Sequence, residues 1–326
     1  MAMQRVSYMN AIRDGIAEEM RKNEQIVCFG EGISERGGSY GQTMKLWGEF
    51  GEERIVDMPI SENGFTALAI GAAAMGMRPI VDILMADLLC EVAAPLFQQA
   101  AKMHYMSGGQ INIPLVFRAE GGGMNGPHHS ATLYSVAMHF PGMIVVYPGN
   151  VYDAKGMIKT ALNTNNPVYF CEDKSVYARR EEIPEEEFFV SFDESVIPKE
   201  GRDVTVVTIG GMQFRVKDAL SKGIIDADIE IVDPRRLFPL NFNEIRKSVQ
   251  KTGRLVIVED DYLSCGAGAE IAARVAGDPE LYSILKAPVE RVATADIPHP
   301  YALGLAKAMS PTEESIAEAI KTVTRT

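Results

Sequence analysis

The chain has 326 residues, 46% of them hydrophobic and 23% charged, with a formal net charge of -12. That is enough apolar material for a sizeable core, and at roughly 100–200 residues per domain two domains are expected. The acidic balance disfavours contact with nucleic-acid phosphates and with anionic membrane surfaces, so neither is expected as a partner.

The opening segment lacks the long apolar core of a signal peptide, and the most apolar stretch, residues 64–77, is too short to span a bilayer. A cytoplasmic protein is therefore expected. Cys28, Cys90, Cys171 and Cys265 lie far apart, with no Cys-x-x-Cys pair, and read as four reduced thiols.

Residues 4–22 predict a helix. Short apolar runs follow at 26–29, 79–84, 113–117, 143–147 and 167–171, and read as buried parallel strands. Between them, 62–76, 91–106 and 151–163 have helical patterns. Alternation of this kind predicts an α/β fold with a parallel sheet and crossover helices. The first domain is taken as residues 1–180. Residues 181–202, rich in Glu and carrying Pro184 and Pro198, read as a linker. A second α/β domain is expected over 203–326, with strands at 203–209, 229–232 and 254–258 and helices at 212–222, 241–251, 266–276 and 313–324.

Two segments carry candidate chemistry. In the first, Asp57 to Phe65, Ser61 is placed to cap a helix and Glu62 lies in its first turn, where the helix dipole favours a carboxylate. A capping residue with no chemical duty fits a lone Ser-Glu pair equally well. The following helix is nearly bare, with Gly64, Ala67, Ala69, Gly71, Ala72, Ala73, Ala74 and Gly76. Glycine costs ~1 kcal/mol against alanine in a helix interior, so the pattern points to close packing, as at a subunit interface.

The second segment runs from Glu120 through Gly121, Gly122, Gly123, Met124, Asn125, Gly126 and Pro127 to His128, His129 and Ser130. A glycine-rich loop after a strand, ending in two histidines, suggests a mobile loop with acid–base capacity. Adjacent residues point in different directions and no third ligand is evident, so acid–base work ranks above metal binding. A flexible surface loop remains the alternative. Glu31 sits at the carboxyl end of the first buried strand, where parallel sheets place ligands, and also reads as a solvated loop carboxylate. Residues 105–109 look like a helix ending in a glycine cap.

In order and spacing, these segments resemble one family. The carrying residues are Gly30-Glu31, Pro59 to Phe65, Gly71 to Ile80, Tyr105 to Gly109, His129-Ser130, Asp153 to Gly156, Asn166-Pro167 and Pro300 to Ala302. Together they resemble the β subunits of the decarboxylating component of 2-oxo acid dehydrogenases, a group that includes pyruvate, branched-chain and acetoin dehydrogenases.

The resemblance implies a pyrimidine-binding domain followed by a transketolase-type C-terminal domain, with thiamine diphosphate as cofactor. It implies that Glu62 hydrogen-bonds the cofactor's pyrimidine ring, favouring the tautomer that takes the thiazolium proton. It implies that His129 assists acyl transfer to lipoamide. Glu31 would belong to the polar network around the cofactor, and Leu88 would lie against it where relatives often place an aromatic ring. Leu115, Ala161, Leu162, Thr164 and Asn166 match positions that hold a potassium ion in some relatives; Thr164 stands where an acid is usual.

Other departures are Gly32, Ala94-Pro95 and Ala131, which bear on substrate identity. Met85-Ala86-Asp87 is similar to acetoin-type members. No Gly-Asp-Gly followed by Asn, the magnesium–diphosphate motif, is found. The resemblance therefore implies a separate α subunit carrying Mg2+ and diphosphate in an α2β2 assembly, and a lipoyl acyltransferase core as partner. Half of a split transketolase, and a non-catalytic α/β binding subunit, are the competing readings.

Overall fold

The computed structural model describes residues 2–123 and 125–325; Met124 of the glycine-rich loop lies outside the described residues. The chain divides into two compact units. The first takes residues through Gly123, His128–Val146 and Val151–Ser191, and the second takes Tyr147–Asn150 and everything from Phe192 onward.

In chain order the first unit contains β1 (Met3–Ser7), α1 (Tyr8–Lys22), β2 (Ile26–Gly30), α2 (Leu46–Phe50), β3 (Ile55–Asp57), α3 (Glu62–Ala74) and β4 (Arg78–Met85). It continues with α4 (Ala101–Met106), β5 (Val116–Gly121), α5 (Tyr134–Met138), β6 (Ile144–Val146), α6 (Val151–Asn163), β7 (Val168–Asp173) and β8 (Arg180–Pro184). Six of its strands form a parallel sheet in the order β6-β7-β5-β4-β2-β3. Strands β2, β5 and β7 are buried along their whole lengths, which explains their continuous apolar runs.

The N-terminal helix starts later than its sequence pattern suggests. Residues 3–7 are instead a strand, paired antiparallel with 180–184. Ser7 then caps α1 by accepting from the Asn10 N–H. The 91–106 segment is a π-helical turn, Ala94–Ala100, running into α4. At the end of α4, Gly108 and Gly109 both take positive φ and the Gly109 N–H bonds the His104 carbonyl, the expected glycine stop. The apolar run at 113–117 becomes a strand only from Val116.

The second unit contains β9 (Val196–Lys199), β10 (Val204–Thr208), α7 (Met212–Ser221), β11 (Ile229–Asp233), β12 (Arg236–Phe238), α8 (Asn243–Thr252) and β13 (Leu255–Tyr262). It ends with α9 (Ala267–Gly277), α10 (Pro279–Ile284), β14 (Glu290–Thr294), α11 (Leu303–Met309) and α12 (Glu313–Thr324). Its sheet has the order β14-β13-β10-β11-β9, parallel except for β9 at the edge. Val204, Val206, Ile229, Ile231, Val256 and Val258 pack against Met212, Val216, Ile316 and Ile320 in one core. The segment expected to be a linker is thus structured at both ends, because β8 and β9 each find a strand far away in sequence. No described helix is long and apolar enough to cross a membrane.

One buried ion network crosses the first sheet. Arg118 on β5 is bidentate to Glu172 on β7, at 2.6 and 2.8 Å, and reaches Asp82 on β4 at 3.0 Å. Tyr177 donates to Glu172 at 2.7 Å, and the Leu84 N–H to Asp82 at 3.1 Å. Arg118→Met should destabilise the chain by about 3–5 kcal/mol, because it strands two buried carboxylates. Denaturant unfolding measures this; a loss below about 1 kcal/mol would show that the network is dispensable.

Candidate active site

The carboxyl ends of β2, β3, β4, β5 and β7 converge on one edge of the first sheet, where open parallel sheets place ligands. Asp57 ends β3 and accepts from the Gly32 N–H at 2.6 Å and from the Ser34 hydroxyl at 2.5 Å. It thereby fixes the loop that follows Glu31. The Ser61 N–H donates to Glu31, whose Oε1 is buried without a hydrogen-bond partner.

Glu31 and Glu62 are therefore brought together. Burial first, then the charges of Glu62 and Asp57, push the Glu31 carboxyl above its usual range. Adjacent carboxylates resist double ionisation, so this pair suits holding one proton against a basic atom. Ser61 occupies the N-cap position of α3 but makes no side-chain capping bond, contrary to the capping reading. Its hydroxyl leans instead over Gly64, where an added Cβ would lie 2.8 Å from Ser61 Oγ.

Leu88 lies in the 3-10 turn Ala86–Cys90, half-buried. Two contacts tie this turn into the site. Asn63, next to Glu62, donates from Nδ2 to the Glu91 carbonyl at 2.9 Å. Asp87 accepts from the Ala131 N–H at 3.1 Å, two residues beyond His129. The turn is launched by a bulge in β4, where Leu84 takes φ 66, a conformation strained for a branched side chain.

His128 and His129 are both exposed. Only the backbone of His129 is held, its carbonyl accepting from Lys174 Nζ. Asp57, Asp87 and Lys174 belong to no motif and were legible only as polar residues near strand ends. No three or more described His, Cys, Asp or Glu side chains are grouped to hold a metal ion.

The residues matched to a potassium site do cluster, but their carbonyls are already used. Leu115 accepts from the Val168 N–H and Ala161 from the Thr164 N–H. Arg78 Nε donates to the Leu162 carbonyl at 2.8 Å, and Nη2 to that of Thr164. The Asn166 amide reaches Thr164 Oγ1 at 3.4 Å. A guanidinium thus already places positive charge on two of these carbonyls, and no carboxylate stands among the five residues. The set does not fit a second cation, which corrects the expectation of potassium.

Two predictions follow from these contacts. Glu31 has a folded-state pKa above its ordinary 4.5. Ionising it therefore costs the folded state more than the unfolded one, a penalty present above the folded pKa and absent below 4.5. Glu31→Gln should raise the thermal midpoint at pH 7 and lose that gain by about pH 4; a lower midpoint at pH 7 would contradict the assignment. Exchanging potassium for sodium at constant ionic strength should leave the midpoint unchanged, whereas Arg78→Leu should lower it. A potassium-dependent rise would restore the cation site.

The chain matches the family described as "Transketolase, pyrimidine binding domain" over residues 4–179, and "Transketolase, C-terminal domain" over 193–316. It is 38% identical over 325 residues to a pyruvate dehydrogenase E1 component subunit beta of Rhizobium meliloti, covering 98% of this chain and 70% of that one. It is 34% identical to the mitochondrial counterpart of Caenorhabditis elegans, covering 96% and 90%. It is 37% identical to an acetoin:2,6-dichlorophenolindophenol oxidoreductase subunit beta of Cupriavidus necator, covering 97% of each. A solved chain described as "Split gene transketolase, inactive beta4 tetramer" shares the fold, with TM-score 0.78, 20% identity and 98% coverage of both chains.

Proposed function

The chain belongs to the family of β subunits of thiamine-diphosphate-dependent pyruvate and acetoin dehydrogenases, and from that premise we propose that Glu62 is its cofactor-activating acid and His129 its acyl-transfer histidine. The observation that carries the reading is the Glu31–Glu62 pair, with a buried, unpartnered Glu31 oxygen beside it. Such a pair fits the polar edge of a pyrimidine ring. Thiamine diphosphate, when bound, supplies the electron sink for cleaving the bond next to the substrate carbonyl.

The protein's part is local. Glu62 holds a proton at the ring nitrogen, and Glu31, itself reluctant to ionise, keeps that proton from being lost to solvent. Leu88 offers the ring an apolar contact from the turn held by Asn63 and Asp87. His129, on its exposed loop, serves the acceptor side, where the acyl group passes to a lipoyl carrier. Asp57 sets the loop on which Glu31 stands.

A partner is part of this reading. The buried side of α3 is Phe65, Thr66, Ala69, Ile70 and Ala73, whereas Gly64, Ala67, Leu68 and Gly71 are exposed. A Cβ at Gly71 would meet nothing within 4 Å in this chain. Glycine there weakens the helix without an internal reason, which favours close approach by another subunit. The partner would be an α subunit carrying magnesium and the diphosphate, in an α2β2 enzyme served by a lipoyl acyltransferase core. A split-transketolase role is the lesser reading, because its support is a 20%-identical fold match.

Glu62→Gln should keep the fold and abolish thiazolium hydrogen–deuterium exchange in the assembled enzyme, since an amide cannot pass the proton. Exchange at the wild-type rate would remove Glu62 from its role. Gly71→Ala should stabilise the isolated chain by up to ~1 kcal/mol, while Gly71→Leu should prevent heteromer formation in light scattering. Normal assembly of the leucine variant would place the partner elsewhere.

A further inference from the structure

The histidine loop needs an anchor, because His129 is exposed and its neighbours are glycines. The structure offers one from outside the loop. Lys174 begins the 3-10 turn Lys174–Val176, directly after β7. That turn is rigidly built: Asp173 caps it through the Ser175 N–H at 2.8 Å, and Tyr177 closes it onto Glu172 and so onto the Arg118 network. The lysine stem runs beneath the glycine-rich loop. A Cβ at Gly123, which has φ 81, would sit 3.1 Å from Lys174 Cε. The Nζ donates to the His129 carbonyl and lies 3.5 Å from Met85 Sδ.

Glu120 lies close by, at the end of β5. Both of its carboxyl oxygens are buried, with no hydrogen-bond partner among the described residues. Burial, then the charges of Asp82 and Glu172, hold its proton on. Glu120 therefore does not compete strongly for the ammonium, which remains directed at the histidine backbone. On the other side of His129, Asp87 holds the Ala131 N–H. The segment is thus pinned at a carbonyl and at an N–H two residues apart, by side chains from two different strand ends.

We propose that Lys174 is a positioning residue for acyl transfer, fixing the His129 backbone so that the imidazole meets the lipoyl acceptor. The inference rests on the reading of His129 given above. It deepens that reading by naming what aims the histidine, and it explains why Gly123 must be a glycine. Mispositioning a catalytic group by about 1 Å costs on the order of 10²-fold in rate. Loss of one anchor should therefore be felt at the transfer step.

The test uses the assembled enzyme with lipoamide or 2,6-dichlorophenolindophenol as acceptor, and pyruvate or acetoin as substrate. Lys174→Met should lower lipoamide-linked kcat by about 10-fold or more, with lipoamide KM little changed and dye-linked turnover largely kept. Lys174→Arg, which restores a donor, should recover much of the loss. Histidine ring NMR on the labelled chain gives a readout independent of activity. The His129 resonance, identified by its absence in His129→Ala, should move in Lys174→Met and return toward its place in Lys174→Arg. Equal loss with both acceptors together with a lower thermal midpoint, or no change at all, would overturn the proposal. His129→Ala with no more effect than His128→Ala would instead overturn the reading of His129, so the two failures are distinguishable.

Discussion

A single guanidinium sits in the middle of a parallel sheet, where its charge is hard to satisfy. Arg118 is fully buried and is met by one carboxylate on each neighbouring strand. Replacing such a trio with apolar side chains is often neutral for net stability. What it enforces is register: slipping β5 by one residue would turn Arg118 to the opposite face and leave Asp82 and Glu172 unmatched. Strands β4, β5 and β7 are thereby fixed relative to one another near the ends from which the turn at 86–90, the glycine-rich loop and the Lys174 turn emerge. The trio also carries one more negative than positive charge, which makes it costly to ionise Glu120 two residues along the same strand.

How much of this was legible varies with the range of the interaction. Helices α3, α6 and α12 begin where the sequence pattern places them, because period, composition and caps are local; Thr312 and Ser315 form a capping box at the start of α12. Strand β1 was hidden, since its only strand partner is about 177 residues further along the chain (roughly half its length) and its own residues have no strand-like run. The same holds for the site. Glu31 and Glu62 are readable because each stands at a strand end or helix start within a motif. Lys174 and Asp87 are not, because their importance comes from contacts 45 and 44 residues away. The left-handed Leu84 has no sequence signal at all, since leucine is an unfavourable residue for that conformation.

The acidic edge of the site runs against the stability of the fold. Asp57, Glu31 and Glu62 gather at the ends of β2 and β3 and the start of α3, and the resulting repulsion is felt by Glu31. A chain selected only for stability would dilute that charge. Retaining it keeps a proton available at a defined place, the requirement for acid–base work on a bound ring. Strain at Leu84 and repulsion at Glu31 are the same kind of concession, one in backbone geometry and one in electrostatics.

The bare face of α3 ties the chain's persistence in solution to mass action. A helix left with exposed glycine and alanine gains its missing contacts only when another molecule supplies them. Apparent stability then grows with the concentration of that molecule, by about 1.4 kcal/mol for each tenfold rise once binding is saturated. Chain made in excess over its partner is the weaker species, opens more often and is more exposed to proteolysis. The glycines of one helix thus give a physical basis for matching the amounts of two subunits, with no regulatory element beyond the strength of the helix itself.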